Sequence, residues 1–432
     1  MSQFTTDLFT LKRSLINFSA ALTKTSGRVK QKFVSDMFYG ILASGSLMLS
    51  SIARELHEKN KLINTIDRLS KHLQDDAPKG IDDHYKQVVW PLLGQEPVIL
   101  VDDTDIVKPY GKAFESLSTV RDGSSLKKPD LKPGYFCTEI VALSKDSQHP
   151  FSLFSQIYSS KEKGFESSNT ITDRALGQLF QQLPRPSTFV FDRGYDRNSL
   201  FQLFADANNP HYYVIRLTNH RKLTFGHKTV SAPTLCQARK GKIRMELPIW
   251  NAEKSCLDKK TAYVSHLKVK ITAHRQPIQL VLVYDFAEKP MMLATNRPIR
   301  GKSDVETIVR LYLSRWRIEE YFRMKKQSYG FERFRIRNLW AINNLNRLLN
   351  YALGFMALLE QKKRRSGHFA KRILSYANAL REKVSFYGYR FALAIQVVFH
   401  RAREGTRGYY AIRGKPRPSY LQQNFFSLIP AA

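Results

Sequence analysis

VILVDDTD, residues 98–105, joins an unbroken apolar run, Val98 to Val101, to the carboxylates of Asp102, Asp103 and Asp105. An apolar run of this length, entered from WPLLGQEP (residues 90–97), reads as a buried strand. Acids at the end of such a strand sit at the edge of a core and can face a site. Alternation along the strand points Asp103 away from Asp102. Asp102 is therefore the first candidate, and Asp103 a structural or outer group.

Outward from this strand, a Gly/Pro/Lys-rich loop (residues 108–134) leads to two strand-like runs, Tyr135–Leu143 and Phe151–Tyr158, with SKDSQHP (residues 144–150) as the hairpin turn. A helix over about residues 169–182 precedes a fourth strand, Ser187–Phe191, which again ends in an acid, Asp192. A short helix near 197–206 and a fifth strand, His211–Leu217, follow. The order β-β-β-α-β-α-β, a meander followed by parallel crossovers, predicts an α/β fold with a ribonuclease-H-like mixed sheet core. In that sheet the first and fourth strands lie side by side, so Asp102 and Asp192 become neighbours.

A third acid comes from YLSRWRIEEYFRMKK, residues 312–326. At roughly 100° per residue, Tyr312, Arg315, Glu319 and Lys326 form one polar stripe, and Leu311, Ile318 and Phe322 an adjoining apolar one. The spacing predicts one helix that packs on a core and turns Glu319, between an Arg and a Lys, toward a cleft. Ser303 or Asp304 is its expected N-cap.

Residues 1–94 read as a helical N-terminal, DNA-binding region. Two of its helices meet near Glu58-Lys59-Asn60 and fit a helix-turn-helix that shows Lys59, Lys61, Asn64, Arg68 and Lys71 to DNA; they fit a small helical bundle equally well. Residues 95–218 and 291–365 are expected to be two parts of one core. Between them, 219–290 form a β-rich insertion with strands at Lys242–Pro248, Lys260–Ile271 and Pro277–Tyr284. Met291–Thr295 returns to an apolar strand. GFERFRIR (residues 330–337) is strongly basic, and a long helix is expected over about 339–362, ending in QKKRR (residues 361–365). Residues 366–432 read as a helical, then basic and aromatic, C-terminal region for DNA contact or dimerisation, including REGTRGYYAIRGKPRPSY (residues 403–420).

The formal charge of +32 is spread over all 432 residues, and an excess of that size calls for a polyanionic partner, nucleic acid before an anionic membrane. Cys137, Cys236 and Cys256 stand far apart without CxxC spacing, which suggests neither a disulfide framework nor a zinc site and fits a reducing, cytosolic compartment. No apolar run approaches the roughly 20 residues of a membrane span.

Three carboxylates on two strands and a helix can hold a pair of divalent ions, because Mg²⁺ prefers hard oxygen ligands and keeps positions open for phosphate and water. Two such ions about 4 Å apart stabilise both the attacking and the leaving oxygen of a displacement at phosphorus. Arg315 and Lys326 would contact phosphates, one as a fork and the other as a point charge. GxxxxGK[ST], GxSxG, HExxH and HxE with PCxxC are all absent, which removes other common reaction classes.

These residues resemble the DDE transposases of bacterial cut-and-paste insertion sequences, in particular the insertion-sequence-four group, whose mark is Tyr-x2-Arg-x3-Glu-x6-Lys. Here it reads Tyr312, Arg315, Glu319, Lys326, followed by GFER; Asp102-Asp103-Thr104, Asp192-Arg193 and LATNRP (residues 293–298) are also similar. The resemblance implies that Asp102, Asp192 and Glu319 are catalytic and bind two Mg²⁺ ions, for which Mn²⁺ substitutes. It implies double-stranded DNA as partner, both the element's terminal inverted repeats and a target, and a homodimer that pairs two ends, in the bacterial cytoplasm with no membrane. End hydrolysis, a hairpin intermediate and strand transfer are the implied steps. Tyr312, Arg315, Lys326 and Arg216 take DNA-contacting roles, joined by Arg323 and Arg333. Met291 stands where the family often has a Trp that stacks on a flipped base, and a thioether stacks less well than an indole. Two other readings remain: a catalytically inactive DNA-binding repressor of transposition, against which the presence of all three acids argues, and a Mg²⁺-dependent nuclease of the same fold without strand transfer.

Overall fold

The computed structural model describes residues 3–121, 130–145, 148–206, 208–251, 256–366, 368–378, 388–402 and 405–406. The N-terminal region is helical: α1 (Gln3–Leu22), α2 (Arg28–Ser44), α3 (Leu49–Glu55), α4 (Leu62–Gln74) and α5 (Ile81–Val89). Strands β1 (Val98–Val107), β2 (Ser118–Arg121), β3 (Leu131–Leu143) and β4 (Pro150–Tyr158) then form the meander, followed by α6 (Ser168–Gln182), β5 (Thr188–Phe191), α7 (Asn198–Phe204) and β6 (Tyr212–Arg216). The central strands run β4-β3-β1-β5-β6, with β1, β5 and β6 parallel to one another and β3 antiparallel to its neighbours. This is the strand order expected from the sequence.

β1 differs from expectation in length. It continues past Asp102 to Val107, because β3 pairs with it antiparallel through Val107↔Gly134 and carries the polar residues that its apolar run does not. Parallel pairing with β5 stops at Val101↔Phe191. Asp102 thus lies in mid-strand, at the point where one of its two neighbours ends. The loop expected over 108–134 also contains β2, which pairs with the start of β3.

Residues 219–290 are β-rich, with β7 (Lys222–Phe225), β8 (Lys228–Ser231), the short helix α8 (Ala232–Gln237), β9 (Ile243–Asn251), β10 (Cys256–Ile271) and β11 (His274–Tyr284). These strands continue the core sheet. β12 (Met291–Thr295) pairs with β6 on one side and β11 on the other, so one mixed sheet runs from core into insertion.

After the sheet come α9 (Lys302–Leu313), α10 (Trp316–Tyr329), α11 (Leu339–Ser366), α12 (His368–Ser375) and α13 (Gly388–His400). Gly301 caps α9, and Asp304 stands at its third position, accepting from the N–H groups of Arg300 and Gly301 at 2.7 and 3.2 Å; the N-cap is therefore neither Ser303 nor Asp304. α11 binds the helical layers to the sheet. Phe18 packs between Phe38 and Phe355 (centroids 5.8 and 5.6 Å), while Asn343 bonds both backbone groups of Ile157 on β4 at 2.8 Å. Of the residues expected to face DNA from α4 and its approach, Lys59, Lys61, Asn64 and Lys71 are exposed. Arg68 instead pairs with Asp36 and Glu58 at 3.1 and 3.0 Å and ties α4 to its neighbours. Asp146 and Ser147 of the hairpin turn, the side chains of residues 361–365, and most of residues 403–420 lie outside the described residues.

Candidate active site

Asp102 and Asp192 stand side by side, since each follows one member of the last registered pair of β1 and β5, Val101↔Phe191. A 3-10 turn, Arg193–Tyr195, carries the chain away and leaves an open depression of about 420 Å³ beside Asp192, lined by Arg193, Gly194, Thr218, Asn219 and His220. Asp103 points the other way, as alternation requires, and accepts from the Thr138 hydroxyl at 2.5 Å.

The third acid arrives on α10. The chain expected to form one helix is two, because it tightens between α9 and α10. The N–H groups of Arg315, Arg317 and Ile318 bond to carbonyls three residues back, at 2.9–3.0 Å, and the Ser314 hydroxyl engages the Leu311 carbonyl at 2.6 Å. Residues three apart eclipse in such a turn, so Tyr312 and Arg315 come to the same side. The Tyr312 hydroxyl donates to Asp192 Oδ1 at 3.2 Å. Arg315 donates from Nη1 to Asp102 Oδ2 at 3.1 Å and from Nη2 to Glu319 Oε1 at 2.6 Å. One guanidinium therefore bridges two of the three carboxylates, and a phenol holds the third.

Burial pushes the Asp102 carboxyl up to about 7; Arg315 pulls against that shift, and Asp103 and Asp192 add to it. For Arg315, burial works against the charge but is outweighed by Asp102, Asp192 and Glu319, which raise its pKa further. The Tyr312 hydroxyl is raised by burial and by Asp192, opposed by neighbouring Arg216 at the end of β6. The site thus carries more negative charge than one guanidinium offsets. Among the described residues no three His, Cys, Asp or Glu side chains form a ready metal cluster, and the Arg315 guanidinium stands between Asp102 and Glu319.

The other candidate residues are spread around this centre. Lys326 donates to the Asp105 carbonyl at 2.8 Å and pairs with Glu332 at 3.0 Å, beside the far half of β1. Arg323 pairs with Glu320 at 3.1 Å and lies over the half-exposed Trp316. Met291 pairs with Val283 and is only 3% exposed, so its thioether presents no face to a base. Arg333 is exposed, as are Arg335 and Arg337, and among the described residues none of the three side chains has an ionic partner.

Sequence reasoning missed the groups that hold this frame. Lys108 is buried and donates to the carbonyls of Glu332 and Phe334 at 2.7 and 2.8 Å, with its ammonium 3.4 Å from the Phe334 ring centroid. Burial lowers its pKa to about 7, against the pull of Glu332. Glu115 accepts from Asn338 and from the N–H of Leu339. Together they fix residues 332–339 to the loop after β1, with the arginines facing out. Glu139 and Lys325 form an ion pair at 2.8 Å with both side chains fully buried. A Lys continuing the apolar stripe of Ile318 and Phe322 was the available signal for this pair.

Residues 161–354 match the family model described as the transposase DDE domain; the stretch includes Asp192, Tyr312, Arg315, Glu319 and Lys326, while Asp102 precedes it. No curated protein matches the chain. Among solved structures, a cryo-EM structure of the piggyBac transposase synaptic complex with hairpin DNA is similar at a TM-score of 0.41 and 11% identity, covering 98% of this chain and 85% of that one. By its sequence, the segment that carries two of the three acids and all of the Tyr-Arg-Glu-Lys residues is similar to a transposase DDE domain.

Proposed function

We propose that the protein is a DNA transposase that moves an insertion sequence of the insertion-sequence-four group by cut-and-paste phosphoryl transfer, with Asp102, Asp192 and Glu319 as its catalytic carboxylates. The observation that carries this reading is the gathering of three acids from positions 102, 192 and 319 around Arg315 and Tyr312. The donor set fits a divalent cation. All three are hard oxygen ligands, the guanidinium already marks a cation position, and the Asp102 carboxyl is raised by burial and, further, by Asp103 and Asp192. Asp102, Asp192 and Glu319 would hold Mg²⁺ or Mn²⁺, which when bound supplies charge stabilisation at a phosphodiester and activates water or a 3′-hydroxyl.

The chain's own groups do the rest. Arg315, in forked geometry, suits a phosphate as well as it suits carboxylates, and it exchanges one for the other as DNA enters. The Tyr312 hydroxyl orients Asp192. Arg333, Arg335 and Arg337, exposed on a segment anchored by Lys108 and Glu115 and without an ionic partner among the described residues, offer a cationic strip that meets the DNA backbone. Double-stranded DNA carrying the element's ends, a homodimer that pairs them and a cytoplasmic setting complete the proposal. Because Met291 is buried, a hairpin step on this chain needs a different stacking group.

The test is a plasmid that carries the DNA flanking the coding sequence on both sides, incubated with protein and Mg²⁺. Double-strand excision and joining, abolished by Asp192→Ala or Glu319→Ala with DNA binding retained, is the expected result. Cleavage without joining would make the protein a nuclease, and binding without cleavage a repressor.

A further inference from the structure

Asp102 on β1 and Glu139 on β3 are register partners in the antiparallel pair, so their side chains leave the same face of the sheet. That face is covered by α10. Arg315, at the start of α10, reaches Asp102 at 3.1 Å; Lys325, near its end, reaches Glu139 at 2.8 Å. Ten residues span about 15 Å of helix, yet the two arms converge on one pair of adjacent residues. Sliding the helix along its axis stretches one arm and crowds the other, and rotating it draws Lys325 out of its enclosure.

The enclosure is complete. Glu139 accepts from Lys325, from the hydroxyls of Ser152 and Ser155 at 2.5 and 2.8 Å, and from Asn350 at 3.2 Å. Lys325 also donates to Asn346 at 2.8 Å, and its ammonium lies 4.3 Å from the Phe331 ring centroid. These partners come from β4, from α11 and from the loop after α10, so the pair, itself on β3 and α10, joins five parts of the fold. Glu319 lies between the two arms.

We propose that Glu139 and Lys325 are positioning residues: their buried ion pair is the key that sets the axial position and rotation of α10, and through it the placement of Glu319 opposite Asp102 and Asp192. The proposal rests on the function given above. It differs from a purely structural role because hydrophobic or neutral replacement of both partners of a buried pair commonly preserves stability, whereas the geometry held by the pair is lost.

The experiment uses the full chain bound to its flanking DNA, with Mn²⁺ as the metal probe. Glu139→Gln and Lys325→Met are made singly and together, with melting temperature, DNA affinity, Mn²⁺ affinity and single-turnover cleavage measured on each. The double variant is expected to melt within about 3 °C of the parent and to bind DNA within about twofold, while Mn²⁺ affinity and cleavage stay at least about tenfold down. Glu139→Asp, which keeps the charge but shortens the arm, is expected to fold and to lose about fivefold in both; it decides the matter if the double variant does not fold. Recovery of Mn²⁺ affinity and cleavage along with stability in the double variant, or their full retention in Glu139→Asp, would overturn the proposal. If the parent binds Mn²⁺ but cleaves nothing, the transposase reading fails and the Mn²⁺ affinities still decide the positioning role; if the parent binds no Mn²⁺, both fail.

Discussion

Asp102 and Glu139 begin from the same position, adjacent in register and beneath the same helix, and end in opposite states. Glu139 is fully buried and accepts from four side chains. Asp102 keeps 22% of its side chain exposed, accepts from Arg315 and from the N–H of Asp103, and has its carboxyl pushed up to about 7. A charge held for architecture is saturated by donors of fixed geometry. Asp102, the acid proposed above for chemistry, is left with fewer donors and is open to solvent on one side.

The sharpest way to break the contrast is at the acids proposed to be catalytic. Glu319→Gln should lower single-turnover cleavage by about 10³-fold or more, since metal and transition-state charge lose a ligand, while filter-binding affinity for DNA holds. Lys325→Met leaves Glu139 buried without its counter-charge and should destabilise the protein by about 3–5 kcal/mol in urea unfolding. Arg315→Met, at a partly exposed site, should cost about 1 kcal/mol or less; equal losses would erase the distinction between the two acids.

The raised Asp102 carboxyl gives a pH-dependent prediction. Its folded pKa, about 7, exceeds the ordinary Asp value of about 3.9, so the stability it contributes is present below pH 4 and lost as pH rises through 7. In EDTA, Asp102→Asn should therefore match the parent near pH 4 and exceed it by about 4 kcal/mol at pH 8, read from urea unfolding at both pH values. A constant difference across this range would place Asp102 among the saturated groups. The smallest effect is expected away from both acids: Arg335→Ala with Arg337→Ala should reduce the slope of log affinity for DNA against log salt by about 2, with the Mn²⁺ affinity unchanged.

Much of this contrast was legible before the structure. The run Val98–Val101 with its acids, and the strand before Asp192, gave the strand order and the adjacency of Asp102 and Asp192, because apolar patterning and crossover rules fix which strands are neighbours. The spacing of Tyr312, Arg315 and Glu319 put these side chains beside Asp102 and Asp192 even though the helix breaks at Ser314. What stayed hidden were groups whose role depends on long-range register: Glu139 reads as one more residue in a buried strand until β3 is aligned with β1, and Lys325 until α10 is set on both. Lys326 and Met291 show the reverse. Helical periodicity and a position beside LATNRP made them site residues, whereas tertiary pairing turned Lys326 to Glu332 and the Asp105 carbonyl and buried Met291 in the sheet.

In the proposed function, Asp102, Asp192 and Glu319 form one cation site that Arg315 occupies until metal and DNA arrive. Anomalous diffraction from crystals of the protein–DNA complex soaked in Mn²⁺ tests it most directly. Mn²⁺ density ligated by oxygens of all three carboxylates is expected, with the Arg315 guanidinium moved from between Asp102 and Glu319 onto a DNA phosphate. Mn²⁺ bound elsewhere, or absent while Arg315 still bridges the two acids, would contradict it.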